Sequence, residues 1–329
     1  MGSTVPEPRT RLRGAAQTLL LAALLGLVAL RSFAAAPAAI PSATPAAHLA
    51  DPSAPLPRRQ ILHLLLRSDP SQEYLLYVPG SGGAGAPVFV SVHGISRNFE
   101  EHATLFAPFA EAHGMVLVAP FFTAVGNDDY QRLGSAGRGG RSDLILDAIL
   151  DEVQTLTGAS TGTFCLFGFS GGAQFTHRYA LVHPERIARA LVGAAGWYMF
   201  PDSGVSYPYG LGASAEFPDF HFDPERFLRV PITVFVGGAD TGVTNVRRSP
   251  DIDRQQGTTR RERAQRWVDA MRRAATSRGL EPRVTCVVVP GIKHSFRQFM
   301  EDGELGERVF AAFADVPERA APASAQVRR

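Results

Sequence analysis

Between residues 59 and 316 the chain alternates short apolar runs with longer segments of helical period, and that alternation decides the fold class. The runs APVFVSVHG (86–94), MVLVAP (115–120), TFCLFGF (163–169), ARALVGAAG (188–196), PITVFVGG (231–238) and RVTCVVVPG (283–291) show no regular polar alternation. A strand that is apolar on both faces has to be covered on both faces. A mostly parallel sheet with crossover helices does this. The helices are expected at 98–114, 141–156, 171–184, 260–279 and 295–315, from apolar residues spaced three and four apart. In 141–156, the residues Leu144, Ile145, Ala148, Ile149 and Val153 are expected to share the buried face. Two further runs, ILHLLLRS (61–68) and EYLLYVP (73–79), read as a strand pair at one edge and bring the strands to eight. One stretch breaks the rhythm. Residues 197–228, after the sixth strand, have no clean helix but carry nine aromatic residues, Trp197, Tyr198, Phe200, Tyr207, Tyr209, Phe217, Phe220, Phe222 and Phe227. An irregular insert of that length inside a domain is usually functional or disordered.

The termini read differently. Arg9, Arg11 and Arg13 precede the apolar run AAQTLLLAALLGLVAL (15–30), and small residues follow in RSFAAAPAA. That order describes a secretory signal peptide over residues 1–34, with cleavage after Ala34. The expected location is therefore secreted or periplasmic. The alternative is an uncleaved membrane anchor, for which 16 apolar residues are short. In either case the N-terminal segment is the only part expected to meet a membrane. Residues 35–58 form an Ala/Pro/Ser-rich linker and 317–329 a polar tail, which leaves 59–316 as one domain. The formal charge is +2 with no long basic run, so nucleic acid is not an expected partner. The two cysteines, Cys165 and Cys286, offer no metal-type spacing, and no metal site is expected.

The pattern Gly-x-Ser-x-Gly occurs twice, at 158–162 and 168–172. Context separates the two. Ser160 follows a helix and precedes a strand, at the rim away from the strands' carboxyl ends, and Gly158 reads as a helix stop. Ligands in open α/β sheets bind at the carboxyl ends. Ser170 follows the strand TFCLF and opens the helix at Gly171, the strand–turn–helix setting of a nucleophile elbow. Gly168, Gly171 and Gly172 are small enough for strand and helix to approach. A serine hydroxyl needs a base, and the base needs an orienting acid. Asp240 follows PITVFVGG and His294 follows RVTCVVVPG, each just past a strand's carboxyl end and in the chain order Ser, acid, His. Asp251 and Asp253 are rival acids but are expected deep in a loop. The oxyanion donors are expected to be the N–H groups of Gly171 and of Ile95, with Ser96 as alternative to Ile95, since Gly94 ends a strand and lets the backbone come close. His93 is expected to bridge loops through its ring nitrogens.

With SVHG after one strand, GFSGG, GGAD and GIKHS, the chain resembles the α/β-hydrolase superfamily across residues 60–316. Within it the chain is similar to exported esterases of the polyhydroxybutyrate-depolymerase and feruloyl-esterase-like group. Members of that group often carry Ser-x-Gly-Gly after the nucleophile, where this chain has Ser170-Gly171-Gly172, and they are often richer in disulfides. The resemblance implies an eight-stranded sheet of order 1-2-4-3-5-6-7-8 with helices on both faces and the aromatic insert after strand 6. It also implies a serine esterase that needs no cofactor, acting on an ester substrate, polymeric or aromatic. An exported peptidase, an acyltransferase and a catalytically silent binding protein are the alternatives. In that sheet order Cys165 and Cys286 lie three strands apart, roughly 14 Å, too far for a disulfide, so two buried free thiols are expected. Trp197 and Tyr198 with Phe121 and Phe122 are the expected substrate-binding residues, at the strand ends beside the site.

Overall fold

Strand β3 (Pro87–Val92) sits near the middle of the sheet and shows why both faces are covered. Val88, Val90 and Val92 point into one apolar cluster, while Phe89 points into a second on the opposite face. The computed structural model describes residues 56–134, 140–215, 217, 218, 220 and 222–314. The expected signal peptide, nearly all of the linker and the tail lie outside the described residues.

Eight strands form one sheet in the order β1-β2-β4-β3-β5-β6-β7-β8, as the resemblance implies. They are β1 (Ile61–Leu65), β2 (Glu73–Tyr77), β3, β4 (Val116–Phe121), β5 (Ser160–Phe169), β6 (Ile187–Gly193), β7 (Ile232–Gly237) and β8 (Val284–Val289). The β1–β2 and β2–β4 pairs are antiparallel and all others are parallel. On the first face lie α2 (Ser142–Thr157), α3 (Gly171–Val182) and α6 (Arg260–Thr276), whose residues Ile149, Phe175 and Trp267 join Val90. On the second lie α1 (Phe99–Ala112), α7 (Phe296–Glu301) and α8 (Leu305–Ala314), whose Phe106, Phe299 and Phe310 join Phe89. Short helices α4 (Pro224–Leu228) and α5 (Pro250–Gln256) complete the set.

Three expectations need correction. In α2 Ile149 and Val153 are buried and Ile145 and Ala148 pack against the core, as expected, but Leu146 and Leu150 share the buried face and Leu144 is 51% exposed. Asp143 turns inward instead, with its carboxylate held by Arg141 (2.7 Å) and His183 (2.9 Å). The expected last helix is two helices. They are broken at Gly303, where a Cβ would stand 2.7 Å from the Phe299 carbonyl, and at Glu304, with φ 52°. Both thiols are free, but only Cys165 is fully buried. Cys286 is partly exposed because β8 is the edge strand. Burial pushes the Cys165 thiol up to about 12, so it is unreactive near neutrality.

The insert is packed, not loose. Phe217 and Phe220 stack at 4.3 Å, Tyr207 meets both edge-on, and the Arg141 guanidinium lies 4.3 Å from the Phe220 ring. These rings bury one another against the start of α2.

Candidate active site

Ser170 stands between the end of β5 and the start of α3 with φ 55° and ψ −108°. A non-glycine residue in that region is strained, and its surroundings must hold it there. Its N–H donates to the Gly193 carbonyl at the end of β6 (2.7 Å), and its carbonyl accepts from Gln174 N (3.2 Å). The strain turns the hydroxyl out of the sheet, to 3.0 Å from His294 Nε2. His294 Nδ1 is 3.1 Å from Asp240 Oδ2. A carboxylate oxygen only accepts, so Nδ1 carries the hydrogen and Nε2 is left as acceptor for the Ser170 hydroxyl. The imidazole also stacks on Phe169 at 5.1 Å, which fixes its plane. The three side chains come from the carboxyl ends of β5, β7 and β8, and the structure brings them together. The other serine, Ser160, opens β5 at the opposite rim, where its hydroxyl donates to the Gly85 carbonyl. Gly158 caps α2 in the left-handed region, φ 71°.

Asp240 is 3% exposed, and its second oxygen is taken by Arg260 Nη1 at 3.2 Å. Arg260 opens α6, and its Nη2 donates to the Thr244 carbonyl at 2.8 Å. The carboxylate is thus pinned from both sides, one oxygen to His294 and one to a buried cation. Nothing in the sequence marks Arg260, which is 20 residues from Asp240 and sits among other arginines. Arg260→Gln leaves the buried Asp240 without its countercharge. It should lower stability by about 3 kcal/mol, read as a fall in the urea midpoint. An unchanged midpoint would mean that the pair contributes nothing. The rival acids are occupied elsewhere. Asp253 bonds Arg248 and Arg263, Asp251 bonds Arg254, and both lie on helix α5, not in a loop.

Gly171 and the turn Gly94–Arg97 face each other. A Cβ on Gly171 would lie 3.2 Å from Ile95 N, and one on Gly94 would lie 3.4 Å from Ser170 Cβ. The turn is closed by Arg97 N–H donating to the Gly94 carbonyl (3.0 Å). The same imagined Gly171 Cβ would stand 2.6 Å from Tyr130 Oη, and that hydroxyl donates to the His93 carbonyl (3.0 Å). Tyr130 thereby fixes the peptide just before the Gly94 turn. It comes from a single 3-10 turn, Tyr130–Arg132, in a stretch without periodicity, so no sequence signal marks it. His93 bridges loops: Nε2 accepts from Phe122 N (3.0 Å) and Nδ1 donates to the Gly94 carbonyl (2.7 Å). Burial pulls its pKa down to about 4, so it stays neutral near pH 7.

The aromatic residues expected at the substrate divide. Phe122 and Tyr198 are both fully buried. Phe122 stacks on Tyr130 at 5.1 Å. Tyr198 stacks on Trp267 at 4.9 Å, and its backbone N–H and carbonyl each bond the Gln256 side-chain amide at 2.8 Å. They are core residues, because large rings next to strand ends are the first to be covered by neighbouring helices. Trp197 retains 4% exposure, between Arg178 and Tyr209, and Phe121 is half-buried and stacked on Phe99.

No protein-family model and no curated protein matches the chain. Solved structures do. LpqC, a poly(3-hydroxybutyrate) depolymerase from Bordetella parapertussis, is similar over 72% of this chain and 88% of its own, with 27% identity and TM-score 0.60. Poly(aspartic acid) hydrolase-1 from Sphingomonas sp. KT-1 is similar over 73% and 93%, with 24% identity and TM-score 0.61. The strand order, the elbow at Ser170 and these solved structures agree: the chain has the α/β-hydrolase fold.

Proposed function

We propose that the protein is an exported serine hydrolase of carboxylic esters. The observation that carries the reading is one hydrogen-bonded line. Strained Ser170 is 3.0 Å from His294 Nε2, and His294 Nδ1 is 3.1 Å from buried Asp240. In this reading Ser170 Oγ attacks the ester carbonyl while His294 Nε2 takes its proton. The oxyanion is held by the N–H groups of Gly171 and Ile95, with the dipole of α3 behind them. His294 returns the proton to the leaving alkoxide, and water then hydrolyses the acyl-enzyme by the same route. Asp240 keeps the imidazole in the productive tautomer. An alkoxide leaves with less assistance than an amine, which favours esters over amides. The 27% identity to a poly(3-hydroxybutyrate) depolymerase supports a carboxylic ester as substrate. The basic and apolar N-terminal segment supports export.

The test is fluorophosphonate labelling with the adduct mapped by mass spectrometry, beside a panel of p-nitrophenyl esters. The adduct is expected on the peptide that contains Ser170, with turnover of at least one ester. No adduct overturns the serine-hydrolase reading. An adduct without turnover of any ester overturns the ester reading and points to amide cleavage or acyl transfer.

A further inference from the structure

We propose that the rim of the site recognises esters whose acyl chain ends in a carboxylate, with Arg247 as the main contact and Lys293 as a second cation. The proposal rests on the Ser170–His294–Asp240 reading. The loop that follows Asp240 runs back beside Gly196 and the first turn of α3. Arg260 holds its Thr244 carbonyl, and its Asn245 carbonyl lies 3.6 Å from the place of a Cβ on Gly196. Gln174 Nε2 lies 3.3 Å from that same place, and the Gln174 N–H donates to the Ser170 carbonyl. The loop therefore runs beside the nucleophile's own helix and then presents Arg247, which is exposed.

Arg247 is not a free-swinging side chain. Its guanidinium lies 5.4 Å from the Trp197 ring centre and 5.7 Å from that of Tyr209. The same indole carries a second guanidinium, that of Arg178, at 4.1 Å. Arg178 is fully buried and bonds only carbonyls, those of Gln131, Gln174 and Pro208. Lys293, the only lysine in the chain, is exposed and directly precedes His294. Among the described residues neither Arg247 nor Lys293 has an ion-pair partner, whereas Arg97 faces Asp128 and Arg260 faces Asp240. Exposed cations without such a partner draw anions to their surroundings. Ring stacking has already restricted the Arg247 side chain, so less entropy is lost on binding. A planar guanidinium also matches a carboxylate with two parallel hydrogen bonds.

The experiment compares kcat/KM for the p-nitrophenyl half-ester of adipate with that for p-nitrophenyl hexanoate. The two share chain length and differ by a terminal carboxylate. Their ratio cancels any general loss of activity or folded protein. Arg247→Gln is expected to lower the adipate-to-hexanoate ratio about fivefold, mostly through KM, and Arg247→Glu by roughly twentyfold. Lys293→Gln should lower it about twofold. In 1 M salt, where the Debye length is about 3 Å, the wild-type ratio should fall toward that of Arg247→Gln. A ratio unchanged in both Arg247 variants overturns the proposal. Failure of the underlying reading shows separately, as hexanoate turnover that survives Ser170→Ala.

Discussion

Ser170→Ala is expected to lower kcat on p-nitrophenyl esters by at least about 10⁴-fold and to abolish fluorophosphonate labelling, with the protein still folded. The hydroxyl is the only group at the elbow placed to form an ester with the acyl chain. It is 3.0 Å from an imidazole nitrogen that is free to accept its proton. In the proposed mechanism removing it leaves the Gly171 and Ile95 amides to favour an oxyanion, so a small residual rate over water is expected. His294→Ala should cost about as much. The double variant should cost little more than either alone, because nucleophile and base act as one unit. Ser160→Ala is the control. Its hydroxyl donates to the Gly85 carbonyl at the amino end of β5, roughly 20 Å from Ser170 by the register of β5 against β3, so activity should stay within about twofold. Labelling that persists in Ser170→Ala would sink the nucleophile assignment, and loss of activity in Ser160→Ala would sink the argument from strand ends.

The same logic of strand ends explains which parts of the site are legible in the amino-acid sequence. A strand that is apolar on both faces has one workable environment, so Val88, Phe89 and Val90 announce a covered parallel sheet. The carboxyl ends of its strands then become the only rim where chemistry is expected, and Ser170, Asp240 and His294 each follow such an end. Hidden from a sequence reading is whatever reaches that rim sideways. Arg260 meets Asp240 from the first turn of α6, and Tyr130 meets the His93 carbonyl from a 3-10 turn. Neither contact has a period or a spacing, since both depend on how separate segments settle against the sheet. Two of the four aromatic residues expected at the substrate are core residues for the same reason. Following a strand end places Phe122 and Tyr198 near the rim, but position along a strand does not say which way a ring turns. Both turn inward, one onto Tyr130 and the other onto Trp267. In α2 the expected period holds and Ile145, Ala148, Ile149 and Val153 meet the core, but the edge of the stripe is misplaced. Asp143, which a hydrophobicity pattern sends outward, is drawn in by Arg141 and His183, and Leu144 is left in solvent.

Gly172→Ala should destabilise the protein by about 4 kcal/mol or more, enough to leave little folded protein at 37 °C. A Cβ on Gly172 would stand 2.5 Å from the His93 carbonyl oxygen and would overlap the Val92 carbonyl oxygen outright. Both are backbone oxygens, of the last residue of β3 and of the residue that follows it, and β3 is a central strand paired on both sides, so they cannot move aside as a flexible side chain could. A Cβ on Gly168 would in turn overlap the Gly172 carbonyl. The elbow is therefore a place where β3, β5 and α3 meet backbone to backbone, and a single added methyl group would force them apart. Gly162→Ala is the matched comparison. It lies in β5, and its Cβ would meet nothing within 4 Å, so a change within about 0.5 kcal/mol is expected. Urea denaturation of the two variants reads the difference directly. Equal midpoints would mean that the glycines at the elbow are there for chain flexibility alone. A large gap would mean that they hold Ser170 in its strained turn by letting three backbones close around it, which ties the geometry of the nucleophile to the stability of the sheet.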